Sequence, residues 1–300
     1  MRILVTGAAG RVGSAVAIHL HDVGHEVVAT DVGYRQGLPF KLHLVDLCDT
    51  SAIYPLVEGC DAVIQAGNHP YAGATRPVQK LLAENVAMNS NVFYAAVDVG
   101  VRRIVGISSV QATTGMHGTK SWHHDAHHCP WPYLPADGQL PHNPGNNTYA
   151  LSKVLAEQTL EAITTEYDDL AAVAVRFPYV MPQKPGKRWQ YNHAVKPGDR
   201  RMAEGLSYVS MADACTSLQA IIEKMTPGYR QLFVAQSLKV RGMSYAEMAT
   251  RFYPQLEVTG PFDTPGGLID LSAMQDHYGW SPAAPPLDVD FAEDDPVSDK

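Results

Sequence analysis

Ser109, Tyr149 and Lys153 are the residues whose types and spacing could do chemistry together. Tyr149 and Lys153 are four apart in Thr148–Tyr167, where apolar periodicity predicts an amphipathic helix. Their side chains therefore share one helical face, with Cβ atoms about 5–6 Å apart. A free tyrosine titrates at about 10. A neighbouring ammonium and a second positive group favour phenolate, which makes the tyrosine a general base near neutral pH. Run in reverse, the same phenol protonates a carbonyl oxygen that is being reduced. Ser109 would donate a hydrogen bond to that oxygen, orienting it and stabilising developing charge. With 14 tyrosines in the chain a Tyr–Lys spacing of four also arises by chance, and a surface pair is the bland alternative. Placement decides: the pair follows the long loop after the fifth predicted strand, on the side where ligands bind in open α/β sheets.

A second cluster opens the chain. Thr6-Gly7-Ala8-Ala9-Gly10-Arg11-Val12-Gly13 lies between a predicted strand and a predicted helix. Glycine there permits a tight turn, close backbone approach to a pyrophosphate and close helix–sheet packing. The free N–H groups at the helix start complete an anion site. A glycine-rich turn with no ligand is the alternative, but strand-turn-helix context is what a dinucleotide fingerprint requires. Gly7, Gly10, Arg11, Val12 and Gly13 are the expected cradle. Asp31, 18 residues after Gly13 at the end of the second strand, can accept both ribose hydroxyls and repel a 2′-phosphate. The cofactor expected is NAD, despite Arg35 nearby. Asp46 and Leu47, after the third strand, are placed to meet the adenine, although Asp46 could equally be a helix N-cap.

These groups need a scaffold. Strands are predicted at 2–6, 26–30, 41–45, 61–66, 102–107, 171–176 and 231–235, and helices at 12–23, 50–58, 76–99 and 148–167 with another from Asp213. Strands alternating with helices argue for βαβ units and a parallel sheet covered on both faces. The fold expected is α/β, a Rossmann-type doubly wound parallel sheet. Residues 1–176 read as an NAD-binding core to which the chain returns at about 205–236. Residues 177–300 read as a smaller substrate-binding lobe. Gln111–Asn147 lacks periodicity, and so long a loop inside a domain is usually functional.

Composition narrows the partners. The 300 residues are 45% hydrophobic and 18% charged, which allows a sizeable core. A formal charge of −8, with scattered Lys and Arg, argues against nucleic acid. No run approaches the ~18–20 apolar residues of a membrane span. MRILVTG has no signal-peptide character. Cys48, Cys60, Cys129 and Cys215 have no CxxC spacing and read as reduced thiols. A soluble cytoplasmic protein is expected.

Taken in order, these motifs resemble the extended short-chain dehydrogenase/reductases, the NAD-dependent epimerase/dehydratase group. TGAAGRVG resembles the family's glycine turn. Asn85-Val86 through Asn91 is similar to its N-V-x-G-T-x-N helix, with Met88 and Asn89 in place of Gly and Thr. Ile107-Ser108-Ser109 resembles its Ser-Ser run, and YLPADGQLPHNPGNNTYALSKVLAE its segment ending in Y-x-x-S-K-x-x-x-E. Arg176 begins the counterpart of its R-P-x-N-V-Y-G-P strand and loop. The resemblance covers the first ~180 residues. It implies that Ser109, Tyr149 and Lys153 carry the reaction, that Lys153 also holds the nicotinamide ribose, and that Ala66, Gly67 and Asn85 line the cofactor. It also implies a homodimer through the two long helices.

The reaction is less determined. The position of the Asn that follows the sixth strand in nucleotide-sugar members is Tyr179, and Leu206 stands near the place of their diphosphate-binding Arg. Both departures point to an NAD-dependent dehydrogenase of a sugar or sugar acid, resembling the uronate dehydrogenases in its glycine turn. The runner-up is a UDP-hexose 4-epimerase with tightly bound NAD. A non-catalytic NAD sensor is the reading from another class, and the intact Ser/Tyr/Lys set argues against it. Gln111, Tyr179 and Arg188, with Ser109, are the expected substrate contacts. Arg200 and Arg201 could reach a phosphate from another direction. His117, His123, His124, His127, His128, Cys129 and His142 crowd the long loop. They lack a clear set of four ligands, so a structural or solvent-facing role is expected and no metal.

Overall fold

The computed structural model describes residues 1–70, 76–115, 129–182, 194–196, 199–262 and 264–292, with Arg200 by its backbone only. Arg188, His117, His123, His124, His127 and His128 lie outside the described residues.

The elements run β1 (Arg2–Thr6), α1 (Arg11–Asp22), β2 (Glu26–Asp31), β3 (Leu42–Leu44), α2 (Thr50–Val57), β4 (Ala62–Gln65), α3 (Val78–Asp98) and β5 (Arg103–Ser109). They continue with β6 (Tyr133–Leu134), α4 (Thr148–Thr164), β7 (Ala171–Phe177), β8 (Tyr179–Met181), α5 (Arg200–Ala203), β9 (Ser207–Ser210), α6 (Met211–Lys224), β10 (Gly228–Phe233) and β11 (Gln236–Ser237). Seven strands form one sheet in the order β10-β7-β5-β4-β1-β2-β3, every pair parallel.

Strand alternation splits the core in two. Ile3 and Val5 face the layer containing Val16, Leu20, Leu218 and Ile221, from α1 and α6. Leu4 faces the layer of Ile53, Val92, Leu160 and Ile163, from α2, α3 and α4. Apolar residues on both faces of a strand are what a doubly covered parallel sheet demands. From β1 the order runs one way through β2 and β3 and the other way through β4, β5, β7 and β10. The carboxyl ends of β1 and β4 therefore flank a topological switch point, where such sheets bind ligands.

The structure departs from the sequence pattern mainly in the second half. The strand predicted at 231–235 begins at Gly228, which pairs with Ala171 and donates its N–H to the Leu170 carbonyl at 2.8 Å. β8, β9 and β11 form a separate three-stranded sheet of segments two to four residues long, too short for a periodicity to register. The N-cap of α2 is Asp49, whose carboxylate accepts from the Ser51 N–H; Asp46 instead accepts from Cys48 N–H at 2.9 Å. The long loop is pinned at both ends beside β5. Gly115 and Asn143 join backbones there, and the Trp131 indole N–H donates to Thr113 Oγ1 at 3.0 Å.

Candidate active site

The glycine turn is packed too closely for any side chain. Gly7 has φ +63°, and a Cβ on it would lie 2.9 Å from the Ala66 carbonyl carbon. A Cβ on Gly13 would stand 2.2 Å from the Gly7 oxygen. One hydroxyl ties this turn to the next loop: Thr6 Oγ1 accepts from the N–H groups of Ala66 (3.0 Å) and Gly67 (2.9 Å) and donates to Gln65 Oε1. The turn therefore presents bare backbone at the switch point, a shape that fits a dinucleotide pyrophosphate. Val12 packs its side chain against the α1/α6 core.

Asp31 closes the far side. Its Oδ2 accepts from Ala9 N–H and its Oδ1 from Gly33 N–H, both at 2.9 Å. The carboxylate is thus fixed at the end of β2, next to the turn. The Arg35 guanidinium donates to the Ala9 carbonyl at 3.2 Å. Leu47 is buried against Gly67, and its carbonyl accepts from Asn91 Nδ2 at 3.0 Å. Asn85 is buried and acts as a clamp. Its Oδ1 accepts from His69 N–H, and its Nδ2 donates to the His69 carbonyl and to Ser152 Oγ. That clamp fixes the loop after β4 against α4.

At the end of β5 the three predicted residues meet. Ser109 Oγ accepts from Gln111 N–H at 3.2 Å, which leaves its own proton free to point at Tyr149. The Ser109 hydroxyl lies close enough to the Tyr149 phenol to favour its ionised form. Asn147 caps α4 by accepting from the N–H groups of Tyr149 and Ala150, and its Nδ2 donates to Gln111 Oε1 at 3.1 Å. Gln111 and Tyr149 are thereby fixed by one residue. Lys153 is 3% exposed. Its Nζ donates to Asn68 Oδ1 and to the Ile107 carbonyl, each at 2.6 Å, and stands 5.5 Å from the Tyr149 ring centre.

The electrostatics differ from the simplest expectation. Burial pushes the Tyr149 phenol up to about 12, with Ser109 pulling the other way. Burial also pulls the Lys153 ammonium down to about 7, opposed by the Glu157 carboxylate. Lys153 spends two of its three N–H donors on Asn68 and Ile107, and with the phenol pushed up by burial the ammonium alone does not bring it to neutral pH.

Arg11 and Tyr179 face each other, the guanidinium 5.3 Å from the ring centre. Arg201 points elsewhere. It is 5% exposed, paired to both carboxylate oxygens of Asp199, and donates to the Ala194 carbonyl. Leu206 is fully buried with φ +54°, so that position offers no cation. Burial raises the Cys129 thiol to about 12, which disfavours the thiolate a metal would need.

Behind the site lies a network that the sequence reading did not assign. Glu157 accepts from Arg176 Nη2 at 2.7 Å and Nε at 3.0 Å, from Ser108 Oγ, and from His142 Nε2 at 2.6 Å. Arg176 also donates to the Gly138 and Leu140 carbonyls. The signal was in the sequence, since Glu157 closes the Y-x-x-S-K-x-x-x-E segment and Arg176 begins the next motif. Asn68 gave no signal, because only the folded loop brings it to Lys153.

The chain belongs to the NAD dependent epimerase/dehydratase family, whose model matches residues 3–213. It is 28% identical over 200 residues to the NAD-dependent glucose-6-phosphate dehydrogenase of Haloferax volcanii, covering 64% of this chain and 74% of that protein. It is 31% identical over 111 residues to the uronate dehydrogenase of Pseudomonas syringae pv. tomato, covering 36% of this chain and 39% of that protein. The UDP-glucose 4-epimerase of Bifidobacterium longum, solved with NAD+ and UDP, shares the fold with a TM-score of 0.67. That match spans 95% of this chain and 94% of the other at 16% identity. The protein is an NAD-dependent enzyme, an oxidoreductase or an epimerase.

Proposed function

We propose that the protein is an NAD-dependent dehydrogenase of a free sugar or sugar acid, with Ser109, Tyr149 and Lys153 as its reacting residues. The observation that carries this reading is the meeting of the three side chains at the end of β5, beside the glycine turn. Tyr149 takes the proton of the substrate hydroxyl while the hydride leaves the carbon that bears it. Ser109 donates to the same oxygen and holds it in line. Lys153 donates to the nicotinamide ribose and holds positive charge beneath the phenol. Bound NAD+ supplies the hydride acceptor and a positive ring, which adds to Lys153 in favouring phenolate. Gly7, Gly10, Arg11, Val12 and Gly13 receive the pyrophosphate, Asp31 the adenosine ribose, and Asp46 and Leu47 the adenine, with Ala66, Gly67 and Asn85 alongside.

Gln111 and Tyr179 are the proposed substrate contacts among the described residues, and Arg188, which lies outside them, is proposed as a third. The residues after β7 supply the substrate lobe, while β10 returns to the core sheet. A dehydrogenase is favoured over an epimerase by Tyr179, Leu206 and the commitment of Arg201 to Asp199. These leave no arginine fork for a diphosphate at those three positions. Tyr94 on α3 and Leu151 on α4 are 47% and 36% exposed, and these helices form the proposed homodimer face. No helix among the described residues is long and apolar enough to cross a membrane, and all four cysteines are free. We assign the enzyme to the cytoplasm.

The test is a screen of uronates, aldoses and sugar phosphates for NADH formation at saturating NAD+. Steady NADH production with at least one of these classes is expected. Turnover of none, with NAD+ bound normally, would favour the sensor reading.

A further inference from the structure

Lys153 is a buried ammonium whose two hydrogen-bond partners are neutral oxygens, the Asn68 amide and the Ile107 carbonyl. Such a group is costly without a compensating charge. The groups the structure places against it are Tyr149 on α4, Asn68 on the loop after β4 and the Ile107 carbonyl on β5. None of these is acidic enough to be anionic at neutral pH. The carboxylate that acts on Lys153 is Glu157, one helical turn further along α4. Residues four apart on a helix are neighbours.

Glu157 is 1% exposed and held from four places outside its own helix. Ser108 on β5 and Arg176 on β7 donate to it, as does His142 from the loop before α4. Gln231 on β10 adds an N–H at 3.3 Å and is itself bonded to the Tyr229 hydroxyl. Burial alone would push this carboxyl up, but its donors overcome that and hold it at about 2. The charge is therefore fixed at working pH. A purely architectural tie between α4 and the sheet would be served as well by apolar packing, which often replaces a buried ion pair without loss.

We infer that Glu157 is a positioning residue for the reaction: its pinned, buried carboxylate keeps Lys153 charged and in place beside Tyr149. This rests on the role given above to Lys153, and it adds a device that sets the alkaline limit of that role. Without the carboxylate, Lys153 releases its proton at lower pH and stops supporting phenolate in the range where the enzyme works.

The direct test reads the lysine itself. Protein labelled with 13C in its lysine side chains is titrated by NMR without substrate, the Lys153 Cε resonance being the one missing in Lys153→Met. Glu157→Gln is expected to lower the Lys153 midpoint by on the order of one pH unit, the low end of the ~1–3 units that a neighbouring opposite charge produces. The alkaline limb of kcat should move with it. Should Glu157→Gln leave Arg176 unpaired and fail to fold, Glu157→Gln/Arg176→Met carries no lone buried charge and is expected to lower the midpoint by a smaller amount, since loss of the Arg176 cation offsets part of the loss of the carboxylate. An unchanged midpoint in the folded variant overturns the inference. Normal turnover by Lys153→Met would instead overturn the reading of the active residues, while leaving the NMR result intact.

Discussion

The proposed nucleotide and reacting ends of the site are built from different materials. At the nucleotide end the working surface is main chain: the Gly7–Gly13 turn, the Ala66 and Gly67 N–H groups, and Asp31 locked by two backbone donors. At the reacting end it is side chain: Ser109, Tyr149, Lys153 and Asn68 meet from three separate elements, backed by Glu157 and Arg176. A main-chain surface tolerates almost no added atom but does not depend on titration. A side-chain surface tolerates changes of shape but depends on every charge behind it. The two ends should therefore fail differently when changed.

The largest failure belongs to the reacting end. Tyr149→Phe is expected to lose on the order of 10²–10⁴ in kcat while still binding NAD+, the usual cost of removing a positioned proton-transfer group. Steady-state rates alongside a binding titration check this, and near-normal turnover would contradict it. The same end should fail in acid. Glu157 titrates at about 2 against an ordinary 4.5, so its contribution is complete above about pH 4.5 and is lost as the pH falls towards 2. Over that window the group should remove about 3 kcal/mol of unfolding free energy. Denaturant titrations across the window should show a correspondingly shallower slope in Glu157→Gln.

The nucleotide end should fail by shape. Gly13→Ala forces a backbone shift, since its Cβ would lie 2.2 Å from the Gly7 oxygen. Overpacking of this kind costs about 1–3 kcal/mol, so NAD+ affinity should fall by roughly 10–100-fold, with little change in the pH dependence of whatever turnover remains. The smallest effect is one of choice. Asp31→Ala should narrow the preference for NAD over NADP by about tenfold, near the low end for a charged hydrogen bond. Dissociation constants for both dinucleotides measure it, and an unchanged ratio would remove Asp31 from cofactor selection.

The same contrast explains what could be read from the sequence. Glycine spacing and strand–helix alternation are local, so the turn, Asp31 and the parallel sheet were legible residue by residue. Tyr149 and Lys153 were legible because one helix carries both. Asn68 was not, because the contact that places it joins residues 85 positions apart. His142 belongs by sequence to a histidine-rich loop, yet its partner is Glu157 on the next helix. Arg201 looked available for a phosphate until the fold paired it with Asp199, two residues earlier. The short strands β8 and β9 carry too few residues for any period, so the region proposed to contact substrate was the least readable.

One measurement bears on the central claim that hydride leaves the enzyme on the cofactor. The protein is incubated in parallel with saturating NAD+ and the sugar or sugar acid found active in the screen, and with catalytic NAD+ and a UDP-hexose. NADH absorbance and epimer composition are followed in both. The account predicts one NADH per substrate oxidised in the first arm and no epimer exchange in the second. Conversion between UDP-hexose epimers without accumulating NADH would contradict it and make the enzyme an epimerase.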